Sequence, residues 1–287
     1  MAAERIAENL AYINWTLLAS LAVGSFWFTA LGRLTTSATK GYLAFVTLLA
    51  AGLAALAALS DDAVRSVGSG AASQPGLQVG SGDPVVLIET ARLAALWALA
   101  GLAVVYGVVL LRGGRAPWLA AAGSAVGFGA LLAGAAAWGG DPAGSGLLLV
   151  QLVVLAAATG GVWASMILGH WYLVTPKLPE APLVRFARLL TVVVGAQVAL
   201  FAAWRLFGAG PGGEPGFSAL GGDWALFVWL RLIVGLAMPL VISWAALQTA
   251  RTRSMESATG LLYIDVGLVA AGTILAAGLY FGAGLLV

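Results

Sequence analysis

Eight long apolar segments, separated by short polar stretches, run through the sequence, and each is long enough to cross a lipid bilayer. A spanning helix needs about 20 predominantly apolar residues. The segments cover residues 13–32, 41–60, 86–111, 117–138, 147–174, 183–207, 224–250 and 260–287. The sequence therefore predicts an all-α bundle of eight transmembrane helices, which forms a single transmembrane domain over residues 1–287.

The composition excludes a water-soluble globular protein. Hydrophobic residues make up 61% of the 287 residues and charged residues only 9%, against roughly a quarter charged in an average soluble domain. The eight segments leave no room for a soluble catalytic domain, so we expect no catalytic activity from the chain on its own. The formal net charge of +2 indicates no basic face for nucleic acid, and the absence of Cys excludes thiolate chemistry.

The lysine and arginine residues are concentrated in alternate loops. Nine of the fourteen lie in or beside the first, third, fifth and seventh loops: Arg33, Lys40, Arg112, Arg115, Lys177, Arg185, Arg188, Arg251 and Arg253. Basic loops remain on the cytoplasmic side of a membrane. The pattern therefore predicts a protein of the cytoplasmic membrane, with both chain ends on the outer side.

Two segments that enter predicted helices from the inner side resemble each other. Residues 33–52 and 253–272 align without a gap and share nine of twenty positions, including Ser-Ala-Thr at 37–39 and at 257–259. The match is consistent with a parallel internal repeat. The alternative is a chance match in a chain rich in Ala, Gly and Leu, in which Ser or Thr hydroxyls cap the two helix starts.

Charged residues inside the apolar segments are the first candidates for a functional site, because an unpaired charge in hydrocarbon is costly. Toward the predicted outer side, Glu89 and Arg92 lie one helical turn apart and are expected to neutralise each other. Arg231 has no such neighbour, and its guanidinium presents a rigid fork of donors. These three residues predict a binding site for an anion or a quinone oxygen. The alternative is that Arg231 has a structural role, either paired with Glu89 or with its side chain extended toward the outer surface.

Toward the predicted inner side, Asp265 and His170 are candidates for a proton or quinone site. Asp265 lies eight residues beyond Ser257, deep enough to be partly desolvated, and His170 ends the fifth segment on the same side. A buried carboxyl exchanges protons, and a neutral imidazole relays them or donates to a quinone carbonyl. The alternatives are an interfacial histidine among aromatic neighbours and an aspartate bound to a helix-terminal hydroxyl or an arginine.

Small residues at regular spacing predict close contacts between helices. Gly161, Ser165 and Gly169 recur every four residues in the fifth segment, and Gly123 and Gly127 do so in the fourth. Small side chains let the backbones of two membrane helices approach closely.

Tryptophan and proline residues near and within the segments carry further structural predictions. Four tryptophans near the predicted outer helix ends are expected at the lipid interface, without a chemical role: Trp15, Trp138, Trp204 and Trp224. Pro239 removes a backbone donor from the seventh segment, which predicts a kink and a free carbonyl group near its middle.

The sequence favours a membrane subunit of an energy-transducing or redox complex. Its predicted partners are the lipid bilayer and other membrane or redox subunits, and a quinone is the cofactor that its polar residues would accommodate. A haem held by this chain is not expected, because b-type haem usually needs two strong axial ligands and the chain has one His. No metal site is predicted either. Two other functions stay open: a stand-alone transporter or channel for an ion or small anion, and a structural scaffold without a site.

Overall fold

The computed structural model describes residues 2–68, 83–175, 177–216 and 218–287. It is 86% helical, and this described part contains no strand. We number its α-helices in chain order: α1 Ala2–Glu8, α2 Leu10–Thr35, α3 Lys40–Gly68, α4 Asp83–Leu111, α5 Pro117–Trp138, α6 Pro142–Val174, α7 Ala181–Phe207, α8 Ala225–Leu232, α9 Met238–Arg251 and α10 Met255–Ala283.

Eight spans of the described chain are long and apolar enough to cross a membrane. Helices α2 to α7 and α10 each form one span, and α8 and α9, joined by a π-helical turn at Ile233–Ala237, form the seventh. The prediction of an eight-helix membrane bundle is confirmed, and the chain is a multi-pass membrane protein in contact with lipid. Which side faces the cytoplasm stays a prediction. We use the predicted orientation to name the two ends of the bundle: α2 begins at the outer end and finishes at the inner end.

The last span differs from its predicted limits. Helix α10 covers Met255–Ala283, whereas the sequence predicted residues 260–287. Gly284 adopts a left-handed conformation with φ of 70°, which is the usual way for a glycine to end a helix. The following residues 285–287 are buried in the bundle and do not continue outward.

Contacts between the helices divide the bundle into two groups of four spans each. Helices α2, α3, α4 and α5 pack one on the next, and α5 returns to α2. Helices α6, α7, α9 and α10 close a second group in the same way. We call them the N-terminal ring (α2–α5) and the C-terminal ring (α6–α10). Their main junction is the contact of α2 with α6, and α10 also packs against α2.

Two glycines set how closely the rings approach. A Cβ atom on Gly24 of α2 would lie 1.8 Å from the carbonyl oxygen of Ala156, and one on Gly160 of α6 would lie 2.1 Å from the backbone nitrogen of Ser25. Neither position accommodates a side chain. The α2–α6 crossing is therefore a direct contact between two backbones, as expected where small residues line a helix interface in a membrane.

The small residues that the sequence indicated also lie between helices. The four glycines face side chains of neighbouring helices: Gly123 faces Phe26, Gly127 faces Val23, Gly161 faces Phe28 and Gly169 faces Thr259. Ser165 is buried, and its hydroxyl donates to the carbonyl of Gly161 in its own helix at 2.6 Å. Side chains of α2, and Thr259 of α10 at Gly169, thus occupy the space that glycines of α5 and α6 leave open.

The hydroxyl caps predicted for the two similar segments are not formed. The Thr39 hydroxyl, at the start of α3, is buried without a hydrogen-bond partner. Ser254, at the start of α10, makes no side-chain cap, and Ser257 lies inside the helix with its hydroxyl 3.1 Å from that of Ser254. The two segments lead into the second helix of one ring and the last helix of the other. The internal repeat stays a prediction.

Candidate intramembrane site

Arg231 lies in the last turn of α8, beside the π-helical turn. Pro239, four residues after Gly235, has no N–H to complete an α-helical hydrogen bond. The Gly235 carbonyl oxygen instead accepts a hydrogen bond from Arg231 Nη1 at 3.0 Å. The carbonyl oxygen that lacks an α-helical donor because of Pro239 therefore binds the arginine. Arg231 is buried, with only 2% of its surface exposed.

Glycines provide the space for this guanidinium. Gly235 and Gly272 of α10 lie against each other, and a Cβ atom on Gly272 would come within 2.7 Å of the Gly235 Cα and 2.8 Å of Arg231 Nη1. A larger residue at position 272 would push the guanidinium aside or separate α10 from the seventh span.

Further oxygen acceptors form the rest of the surroundings of Arg231. Its Nη2 donates to Gln197 Oε1 at 3.0 Å and lies 3.4 Å from the backbone oxygen of Val287. Gln151 contacts the same residue, because its Oε1 accepts a hydrogen bond from the Val287 backbone nitrogen at 3.4 Å. No Asp or Glu side chain of the described residues forms an ion pair with Arg231. Oxygen atoms of Gln197, Gly235 and Val287 are the acceptors around its guanidinium.

Asp265 lies on α10 seven residues before Gly272, on the same face and toward the inner end. Its carboxyl is 0% exposed. The Ser243 hydroxyl of α9 donates to Oδ2 at 2.6 Å, whereas Oδ1 is buried without a hydrogen-bond partner. Within the described ranges no Lys, Arg or His pairs with it. The structural alternative for Asp265 was a contact with a helix-terminal hydroxyl or with an arginine. Its partner is instead Ser243, in the middle of the neighbouring helix α9.

Two further buried polar side chains lie near the level of Arg231. Thr159 of α6 and Thr273 of α10 share a hydrogen bond of 2.7 Å, next to Gly272 in the chain. The carboxyl of Asp265 lies about 10 Å from this level along the axis, since seven residues rise by 1.5 Å each. We call the following residues the polar seam of the C-terminal ring: Gln151, Thr159, Gln197, Arg231, Ser243, Asp265 and Thr273.

His170 does not belong to the polar seam. It is exposed at the inner end of α6, and its Nδ1 lies 3.2 Å from the Tyr263 hydroxyl. Tyr263 and Asp265 are two residues apart on α10, so their side chains leave the helix about 200° apart. The structure therefore does not bring His170 and Asp265 together, and the histidine contacts an aromatic neighbour at the surface.

A second charged cluster lies at the outer end of the N-terminal ring. Arg92 Nε donates to Asp61 Oδ1 at 2.7 Å, and both side chains are 0% exposed. The predicted Glu89–Arg92 pair is wrong, because α3 continues beyond residue 60 and brings Asp61 into the ring opposite Arg92. Glu89 is partly buried. Since Arg92 and Arg231 lie in different rings, they do not form one anion site.

Two tryptophans enclose the Arg92 guanidinium. Its Cζ lies 4.6 Å from the centre of the Trp138 ring and 5.7 Å from that of Trp15. The prediction that these two tryptophans face lipid is wrong, because their π-faces stabilise a buried cation. Trp204 is buried as well.

Five members of the polar seam were not among the predicted site residues: Gln151, Thr159, Gln197, Ser243 and Thr273. Gln151 and Gln197 had a usable signal, since an amide in the middle of an apolar segment needs a hydrogen-bond partner. The three hydroxyl residues had none, because serine and threonine are common in membrane helices. The role of Ser243 follows only from the position of Asp265 on the next helix.

Comparison of the chain with protein-family models, with curated proteins and with solved structures finds no match. Among the residues that the structure describes, no group of three or more His, Cys, Asp or Glu side chains is arranged to hold a metal ion. The case for a function therefore rests on the geometry of the polar seam.

Proposed function

We propose that the chain is the proton-handling membrane component of an energy-transducing assembly, in which Asp265 takes up and releases the proton. The observation that carries this proposal is the environment of the carboxyl group. It is fully buried, has one hydroxyl partner and forms no ion pair among the described residues. A carboxylate at this depth needs a proton or a cation to neutralise it.

Ser243 orients the carboxyl group for this exchange. Its hydroxyl donates to Oδ2 at 2.6 Å, a distance typical of a hydrogen bond to a carboxylate. Oδ1 has no hydrogen-bond partner and is the oxygen that accepts the proton. The donated bond stabilises Asp265 while it carries the negative charge, and it holds Oδ1 in one direction.

Arg231 supplies a fixed positive charge toward the outer end of the same ring. At about 10 Å and an effective dielectric constant of about 20, its attraction for a charged Asp265 is on the order of 2 kcal/mol. The attraction stabilises the carboxylate after proton release. The same charge repels a cation that moves further outward, so Arg231 confines exchange to the inner half of the seam.

A second candidate is a stand-alone carrier for a small anion. The observation that favours it is the positive charge of Arg231, which contacts Gln197 and the carbonyl of Gly235 and pairs with no Asp or Glu side chain of the described chain. An anion entering the seam would pair with this guanidinium. Transport by the purified chain alone would favour the carrier over the subunit.

In a redox assembly, the exposed His170 is the residue that would contact a quinone. Its Nδ1 faces the hydroxyl of Tyr263, which leaves Nε2 for the carbonyl oxygen of the quinone. This contact lies at the surface of α6 and is separate from the proton exchange at Asp265. Loss of quinone-dependent turnover in His170→Phe, with proton uptake at Asp265 retained, would support it.

Infrared difference spectroscopy of the purified chain tests proton uptake without any partner. We expect a pH step to change the carbonyl-stretch band of a protonated carboxylic acid in the wild type and in Asp265→Glu. The band change should disappear in Asp265→Asn. The matched control is Asp62→Asn, because that carboxylate is 77% exposed and lies outside the seam. An identical band change in the wild type and Asp265→Asn would contradict the proposal.

Proton flux into liposomes then separates the two candidate functions. The chain is reconstituted alone, with a pH-sensitive dye inside the vesicles and an imposed membrane potential. Anion-dependent flux that is lost in Arg231→Gln and retained in Asp265→Asn would favour the anion carrier. Proton flux that requires Asp265, either alone or only with added partner subunits, would favour the proton-handling component.

A further inference from the structure

A cavity of about 590 Å³ lies at the inner end of the bundle and is lined by the end of α2, the start of α7 and the α4–α5 loop. Its wall contains three arginines, one from each of these elements: Arg33, Arg115 and Arg185. No acidic side chain lines it. Glu180, which precedes the start of α7, instead lies 3.5 Å from Arg253. The cavity therefore concentrates positive charge.

Backbone contacts hold two of the three guanidinium groups in place. Arg33 donates from Nε to the carbonyl of Gly114 at 3.1 Å and from Nη2 to that of Gly113 at 2.7 Å. Arg185 donates from Nη1 to the carbonyl of Thr35. A guanidinium has five N–H donors, so both arginines keep donors for a further acceptor. Arrangements of this kind suit phosphate oxygens.

The cavity also has an apolar edge. Leu34, which is 52% exposed, and Ala181 line it beside the arginines. A free phosphate ion gains nothing from such an edge, whereas a phospholipid places its phosphate among the arginines and its glycerol and acyl carbons along the edge. The inner ends of the spans are also the level at which headgroups lie.

We propose that this cavity binds the headgroup of an anionic phospholipid, with Arg33, Arg115 and Arg185 contacting the phosphate. A phospholipid and a soluble phosphate both present a phosphate group to the arginines. The apolar edge of the cavity favours the phospholipid. The site is separate from the polar seam and does not depend on the proposed function.

Native mass spectrometry of the full chain in detergent tests the site with three probes: phosphatidylglycerol, phosphatidylcholine and inorganic phosphate. We expect phosphatidylglycerol to bind most tightly. Arg115→Gln and Arg185→Gln should each weaken that binding roughly fivefold, since one basic residue contributes on the order of 1 kcal/mol to the attraction of anionic lipid. Arg33 is left unchanged, because it also holds the α4–α5 loop.

The matched controls are Arg112→Gln and Arg188→Gln. Both residues are exposed near the same end of the bundle, and neither lines the cavity. Retained phosphatidylglycerol binding in both controls, with loss in the two cavity variants, would establish the site. Equal loss in controls and cavity variants would show a diffuse charge effect and overturn it. Inorganic phosphate binding as tightly as phosphatidylglycerol would overturn the choice of a lipid.

Discussion

In the N-terminal ring the buried charges of Asp61 and Arg92 form an ion pair, whereas in the C-terminal ring Arg231 and Asp265 lie apart and do not pair with each other. Asp61 and Arg92 are 2.7 Å apart, with Arg65 Nε 3.5 Å from the second carboxylate oxygen. Arg231 and Asp265 have amide, carbonyl and hydroxyl partners. A pair that neutralises itself needs no ligand. Separated charges remain available to a proton or an ion.

The difference follows from the depth at which each charge lies. Asp61 and Arg92 are at the outer ends of adjacent helices and meet at one level. Arg231 and Asp265 also belong to neighbouring elements, but they lie about two helical turns apart along the membrane normal. Because the helices are packed closely at Gly235 and Gly272, neither side chain reaches the other without a shift of the backbone.

The largest expected effect is the loss of the ion pair in Asp61→Asn. Removing one partner leaves Arg92 as an uncompensated buried charge, which costs roughly 3–5 kcal/mol. Unfolding in mixed detergent micelles, followed by circular dichroism, measures the change. Asp62→Asn is the control, and its exposed pair with Arg65 should contribute less than about 1 kcal/mol. Equal losses in the two variants would mean that the buried pair does not stabilise the N-terminal ring.

A smaller loss of stability is expected for Gly272→Ala in the C-terminal ring. The added methyl group would collide with Gly235 and displace Arg231, at a cost of about 1–3 kcal/mol. Gly267→Ala is the control on the same helix, because a Cβ atom there meets nothing within 4 Å. That variant should be neutral or slightly more stable. The same unfolding measurement checks both, and a neutral Gly272→Ala would contradict the described packing around Arg231.

Ser243→Ala should reduce the free energy of unfolding by about 1 kcal/mol, the usual contribution of one hydrogen bond. It should also change the infrared band of Asp265, because Oδ2 loses its donor. Ser243→Thr keeps a hydroxyl and should restore the band. An unaltered band in Ser243→Ala would show that the serine does not orient the carboxyl group.

The smallest effect on stability is expected for Asp265→Asn. At a pH at which Asp265 carries its proton, the amide keeps the contact with Ser243 and removes no charge, so the change should stay below about 1 kcal/mol. This result, set beside that of Asp61→Asn, gives the sharpest test of the contrast between the rings. A loss for Asp265→Asn as large as that for Asp61→Asn would indicate an ion pair in the C-terminal ring and end the contrast.

Most of the fold could be predicted because crossing a membrane depends on local composition. The eight apolar segments correspond to the eight spans, although α3 continues to Gly68 and α10 begins at Met255. Because α3 is longer than predicted, Asp61 is a buried helical residue and not a loop residue. The division into two rings could not be predicted, since helices of similar hydropathy differ little in which neighbour they favour.

The sequence by itself determined the number of spans and the residues whose burial is costly, including Arg92, Arg231 and Asp265. Both follow from the free energy of transferring each side chain into hydrocarbon, which a residue carries wherever the chain folds. Only the tertiary structure decided that Arg92 pairs with Asp61, and that Asp265 contacts Ser243 and not His170. Partner choice depends on the rotation, depth and close approach of neighbouring helices, and no single segment contains that information.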